Sequence, residues 1–142
     1  MKKRILPLIL ALCLCLGLSV PASAAAATVL TLNTPAELPD VGESFQVTVD
    51  ISGNPGLAAM EMALYYNQDV VTCTDVQIGS ILEDTMHVEN PKKTSGPVCA
   101  FVTAITLKPT VKDGLLSTFT FQVKKTGEPG FALGEILLST LG

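Results

Sequence analysis

His87 is the single histidine of the sequence, so base or metal chemistry would have to start there. It lacks a set of cysteine, histidine and acid neighbours at metal-ligand spacing, and it reads as an exposed strand residue. Glu83-Asp84 is an acid pair of the kind glycoside hydrolysis uses. That chemistry needs two carboxylates facing each other across a cleft lined with aromatic sugar platforms. The chain has no Trp, and its acids fall mostly in turns, where solvation is their ordinary role. The sequence contains no nucleophile elbow, no phosphate-cradling glycine loop and no EF-hand calcium loop. The residues therefore predict a protein that is not an enzyme and needs no metal or cofactor.

Two cysteines could still do redox chemistry. Cys13 and Cys15 lie in an N-terminal segment that reads as an address: Lys2, Lys3 and Arg4, an apolar run from Ile5 to Val20, Pro21, then Ala22-Ser23-Ala24. This is the pattern of a secretory signal peptide, with cleavage expected after Ala24. Export leaves Cys73 and Cys99, which could pair in an oxidising compartment or remain as two buried thiols. No later stretch is apolar and long enough to span a bilayer, so no membrane attachment is expected after cleavage, and the protein is expected to be secreted.

Residues 25–142 then form one domain, large enough to bury a core. They carry six basic residues against all thirteen acids of the sequence. Such a surface repels nucleic acid and anionic membranes. The segment shows no helical period. It is a series of short β-branched runs divided by Gly, Pro, Asn and Asp, the pattern of an all-β sandwich or barrel. Ser44–Ser52 alternates most cleanly, with Phe45, Val47, Val49 and Ile51 on one side and Gln46, Thr48 and Asp50 on the other. Other strands are expected over residues 28–32, 57–66, 70–78, 98–105, 115–124 and 130–138, with a weaker one over 87–90. In the run 57–66, Met60, Met62, Leu64 and Tyr66 share one side. Ala59, Glu61, Ala63 and Tyr65 share the other, a flat and half-apolar stripe suited to a protein partner.

Several stretches, in order, resemble the cohesin family. Val41-Gly42-Glu43-Ser44-Phe45-Gln46-Val47-Thr48-Val49 resembles its glycine-led second strand. Ala63-Leu64-Tyr65-Tyr66-Asn67-Gln68-Asp69-Val70-Val71 resembles its tyrosine–aspartate–proline segment, with Asn67-Gln68 where Asp-Pro is usual. Gly79-Ser80-Ile81-Leu82 matches the glycine that follows. Closest is Lys112-Asp113-Gly114-Leu115-Leu116-Ser117-Thr118-Phe119-Thr120-Phe121-Gln122-Val123-Lys124.

The resemblance implies a jelly-roll β-sandwich, a fold shared with some carbohydrate-binding modules. It implies a function of docking the calcium-loaded dockerin modules of secreted glycoside hydrolases, as in cellulosome assembly for polysaccharide breakdown. It places the dockerin on the sheet of the third, fifth, sixth and eighth strands, with Ala59, Glu61, Val102 and Ile105 at contact positions. It also places Cys73 and Cys99 inward on opposite sheets, where a disulfide could cross the sandwich. Cohesins pair a ninth strand beside the first, so the last strand is expected to be missing here, leaving an unpaired edge that a partner strand could complete. Direct binding of polysaccharide and a structural or adhesive immunoglobulin-like role are the alternatives. Of the exposed aromatics a sugar would need, the stripe offers Tyr65.

Overall fold

The computed structural model describes residues 27–141, so the expected signal peptide, residues 1–24, lies outside the described residues. Eight strands and one 3₁₀ turn follow in order: β1 (Val29–Asn33), β2 (Ser44–Ser52), β3 (Leu57–Tyr65), β4 (Val71–Ile78), the turn Ser80–Leu82, β5 (Met86–Lys93), β6 (Cys99–Thr110), β7 (Gly114–Val123) and β8 (Ala132–Thr140). They make two four-stranded antiparallel sheets, ordered β1-β2-β7-β4 and β5-β6-β3-β8. This is the expected all-β sandwich.

Period-2 alternation decides what each strand buries. Val47, Val49 and Ile51 of β2 meet Met60, Met62 and Leu64 of β3 across the sandwich, with Val71 and Cys73 of β4 beside them. Ala100, Val102 and Ala104 of β6 and Phe119 and Phe121 of β7 complete this layer. Phe121 packs edge-on against Tyr66 and Phe131, at centroid distances of 5.0 and 4.9 Å, and stacks on Phe45 at 5.7 Å. Burying each such ring or aliphatic chain is worth roughly 1.5–3 kcal/mol.

Two strands depart from simple alternation. In β7 the register against β2 slips by one residue, so that Val49 faces Ser117 and Asp50 faces Leu115. Leu116, the extra residue, turns into the core and is fully buried, whereas Leu115 is only half-buried. The bulge changes the parity of everything beyond it, so that Leu116 and not Leu115 takes the inward place. In β6 the strand continues past its expected end at Ile105. Ala59 pairs with Ile105 and Leu57 with Thr110, so Thr106 to Pro109 stand opposite Ala58 alone. The Lys108 backbone N–H donates to Thr106 Oγ1 at 3.0 Å and closes this protrusion.

Gly79 joins β4 to the 3₁₀ turn. Its N–H donates to the Leu116 carbonyl at 2.7 Å, and a Cβ there would sit 1.8 Å from the Leu115 carbonyl oxygen. Only glycine permits that approach.

Of the two alternatives for the cysteines, the structure has two buried thiols: Cys73 and Cys99 are free. Cys73 faces the core, with its Sγ 3.4 Å from the Asp75 carbonyl oxygen. Burial pushes its thiol up to about 12. Cys99 does not face it. Ala100, Val102 and Ala104 point inward, so Cys99 has the opposite parity and lies on the outer side of its sheet, paired with Tyr65. A thiol outside one sheet cannot reach a thiol inside the other.

The two sides of the sandwich differ. β4 and β5 run close together, and the Tyr66 hydroxyl donates to the Pro91 carbonyl at 3.3 Å across that side. β1 and β8 on the other side do not approach to a comparable extent.

Candidate functional site

The outer side of the β5-β6-β3-β8 sheet can be assembled from register alone. Cross-strand partners stand side by side, so each row across the sheet reads as one line of side chains. The first row is Met86, Ile105, Ala59 and Ser139, and the second is Val88, Thr103, Glu61 and Leu137. The third is Asn90, Phe101, Ala63 and Gly134. The last carries Lys93, Cys99, Tyr65 and Ala132.

Two of these rows are strongly apolar and wet. Met86 is 74% exposed, Val88 61%, Leu137 59% and Ile105 51%. Leu107, at the tip of the β6 protrusion, stands beside Met86 and Ile105 around one shallow depression and is 87% exposed. Glu61 lies in the middle of this surface, half-buried. The ion pairs among the described residues, His87 with Glu89 and Lys93 with Glu135, do not involve it.

The other two rows are tied down. Lys93 Nζ sits 4.4 Å from the centre of the Phe101 ring and 3.8 Å from Glu135 Oε2. Hydrogen bonding to the Glu135 carboxylate raises the Tyr65 hydroxyl above its usual range, with burial adding to the effect. Burial likewise raises the Cys99 thiol, against an opposing pull from the Lys93 ammonium. The Tyr65 ring lies over Gly134, where a Cβ would come within 2.5 Å of Tyr65 Cε2. Glu135 follows at φ 47°, in the bulge where β8 slips against β3 between Glu61 and Ala63. A left-handed residue at that point is what a bulge of this kind requires.

Of the residues singled out from the sequence, Ala59, Glu61, Tyr65 and Ile105 come together on this surface. Ala63 stands on the same side but has no exposed area, covered between Phe101 and the Tyr65 ring over Gly134. Val102 does not belong to the surface. It is fully buried in the core, because residues three apart on a regular strand face opposite ways, and Ile105 holds the outer position. Sequence reasoning missed Phe101 and Thr103, which flank Val102, together with Met86, Val88 and Leu137. The apolar content of residues 86–88 and 136–138 was the available signal.

His87 and Glu89 occupy the inward parity of β5, with Nδ1 and Oε1 2.7 Å apart. A separate depression of about 370 Å³ is lined by Ser80, Glu83, Asp84, Thr106 and Lys108, among others, and by neither His87 nor Glu89. Among the described residues no three His, Cys, Asp or Glu side chains are placed to hold a metal ion.

The sequence pattern of the cohesin domain matches residues 28–140. No curated protein matches the chain. Solved structures do. A cohesin from Clostridium acetobutylicum superposes with a TM-score of 0.67 at 20% identity, over 80% of this chain and 79% of that one. A non-cellulosomal cohesin from the archaeon Archaeoglobus fulgidus gives 0.63 at 20% identity, over 81% and 79%. A type I cohesin–dockerin complex from Clostridium thermocellum gives 0.58 at 17% identity, over 70% and 74%. At such identities the structural likeness is one of fold, and the sequence match supplies the family: the chain belongs to the cohesin domain family.

Proposed function

We propose that the chain is a secreted binding module that docks the dockerin of a polysaccharide-degrading enzyme on the outer side of the β5-β6-β3-β8 sheet and does no chemistry itself. The observation that carries this reading is the exposed apolar surface of Met86, Val88, Ile105 and Leu137 around the unpaired Glu61. An apolar centre that excludes water, with a charged group to fix register, is how such interfaces gain affinity and specificity. The Clostridium thermocellum relative is a cohesin held in complex with a dockerin, which supports the same class of partner here. Calcium would be carried by the dockerin.

Calorimetric titration with dockerins, with and without calcium, tests this. Saturable binding that needs calcium is expected; a folded chain that binds none of them would overturn the reading. The same protein should stay in solution when mixed with insoluble polysaccharide. Tyr65 and Phe101 are engaged by Gly134 and Lys93, which leaves little free ring face for a sugar.

A further inference from the structure

One corner of the apolar surface departs from the sheet. β6 keeps its register with β3 up to Ile105, opposite Ala59, and rejoins the ladder at Thr110, opposite Leu57. Between them Thr106 to Pro109 stand opposite Ala58 alone, and Leu107 at their tip is 87% exposed. A single apolar side chain in water is ordinary. Leu107 is not single. It borders a depression shared with Met86 and Ile105, which are exposed members of the apolar surface themselves.

The protrusion is held in shape. The Thr106 hydroxyl engages both backbone groups of Lys108, accepting from its N–H at 3.0 Å and donating to its carbonyl at 3.3 Å. Pro109 fixes its own φ, and Thr110 Oγ1 accepts from the Lys112 N–H at 3.2 Å where the strand ends. A tip ordered in advance loses little conformational entropy when a partner closes on it. That order does not serve the core, on which Leu107 does not pack. The charges around the tip are also open. Lys108 and Asp84 line the same depression and are exposed, and neither joins an ion pair among the described residues.

We infer that Leu107 is the residue by which this surface selects among dockerins, which rests on dockerin docking by the same surface. The dockerin it fits carries an apolar recess for Leu107 and an apolar side chain for the depression beside Met86. An acid stands next to them, opposite Lys108. A flat apolar sheet discriminates poorly among flat apolar partners. A fixed projection adds affinity where a recess meets it and a clash where none does, and specificity is the difference between the two.

Calorimetric titration of the parent, Leu107→Ala and Leu107→Met against one panel of calcium-loaded dockerins tests this. A parent that binds none of them overturns dockerin docking, and the selection with it. For a parent that binds, Leu107→Ala should weaken the tightest dockerin roughly tenfold. It should leave the weakest unchanged or tighter, so that the spread of affinities narrows. Leu107→Met keeps the apolar volume and should hold the tightest dockerin within about threefold of the parent. Leu107 lies in solvent, so all three proteins should share one thermal midpoint, and a lost affinity is then not a lost fold. Affinities that do not change, that fall equally for every dockerin, or that fall as far with methionine as with alanine would overturn the inference and leave docking standing.

Discussion

The two outer faces of this sandwich are built by the same alternation and finish in opposite chemistry. Across the β1-β2-β7-β4 sheet, one row reads Asn33, Thr48, Thr118 and Gln77, and another Ser44, Gln122 and Thr72. These side chains bond among themselves and to nearby carbonyls, as Asn33 does with Thr48 and as Gln122 Nε2 does with the Gly42 carbonyl. Such a face loses nothing by standing in water. Across the other sheet the matching positions hold Met86, Val88, Ile105 and Leu137. Each square ångström of that surface left wet forgoes roughly 25 cal/mol. One sheet presents a polar surface to water, while the other leaves large apolar side chains exposed there.

β6 shows the difference most sharply, because both of its sides are apolar for different reasons. The largest effect should come from confusing them. Val102→Asp would bury an unpaired carboxylate in the core and should cost more than ~3 kcal/mol, enough to lower the unfolding midpoint severely or prevent folding. Ile105→Asp, three residues on and in solvent, should leave the midpoint within a degree or two while weakening dockerin binding. Thermal unfolding of both variants checks this. Equal destabilisation would mean that the two residues share a side.

The next effect compares the faces directly. Glu61→Arg replaces the charge at the centre of the apolar surface and should weaken dockerin binding about a hundredfold, as for loss of a desolvated charge partner. Gln46→Arg, exposed on the polar face, should change affinity by less than twofold. Titration calorimetry on both decides it. A Glu61 variant that binds normally removes that residue from the interface, and a Gln46 variant that fails moves the interface to the other sheet.

What could be read from the sequence follows the same division. β2 alternates Phe45, Val47, Val49 and Ile51 with polar residues, and a strand with one wet polar side announces its register. The run from Cys99 to Ile105 is apolar at nearly every position. A strand that is apolar on both sides gives no parity, and so Val102 could be placed on the wrong face. The same missing alternation marks a strand with one apolar side in the core and the other apolar side in solvent. The bulges at Leu116 and Glu135 were hidden for a different reason. A bulge depends on the pairing of two strands, and neither strand shows it alone.

A smaller effect concerns the anchored end of the apolar sheet. Gly134→Ala would drive a methyl group into the Tyr65 ring and should destabilise the fold by about 1–3 kcal/mol, the usual range for overpacking. Displacing Tyr65 also releases Glu135 and Lys93 from their shared contacts, so dockerin affinity should fall severalfold. Denaturant unfolding and titration of the variant together test this. Unchanged stability would mean that the ring swings aside freely.

The smallest effect contrasts the two thiols, one inside the polar-faced sheet and one outside the apolar-faced sheet. Burial holds Cys73 protonated to about pH 12, against an ordinary value of 9.0. The unfolded chain releases that proton first, so the stabilising contribution is whole below pH 9 and is lost as pH rises from there towards 12. By pH 10 the loss should be about 1 kcal/mol. Other groups titrate in the same range, so the useful quantity is the difference between the parent and Cys73→Ala. The variant starts lower, because it leaves a small space beside Phe121, but its stability should fall less steeply between pH 8 and 10.5. Cys99→Ala should change that slope less, since Lys93 counteracts part of the effect of burial at that thiol. Parallel slopes for the parent and the Cys73 variant would show that the inward thiol ionises as freely in the fold as outside it, and would contradict its place in the core.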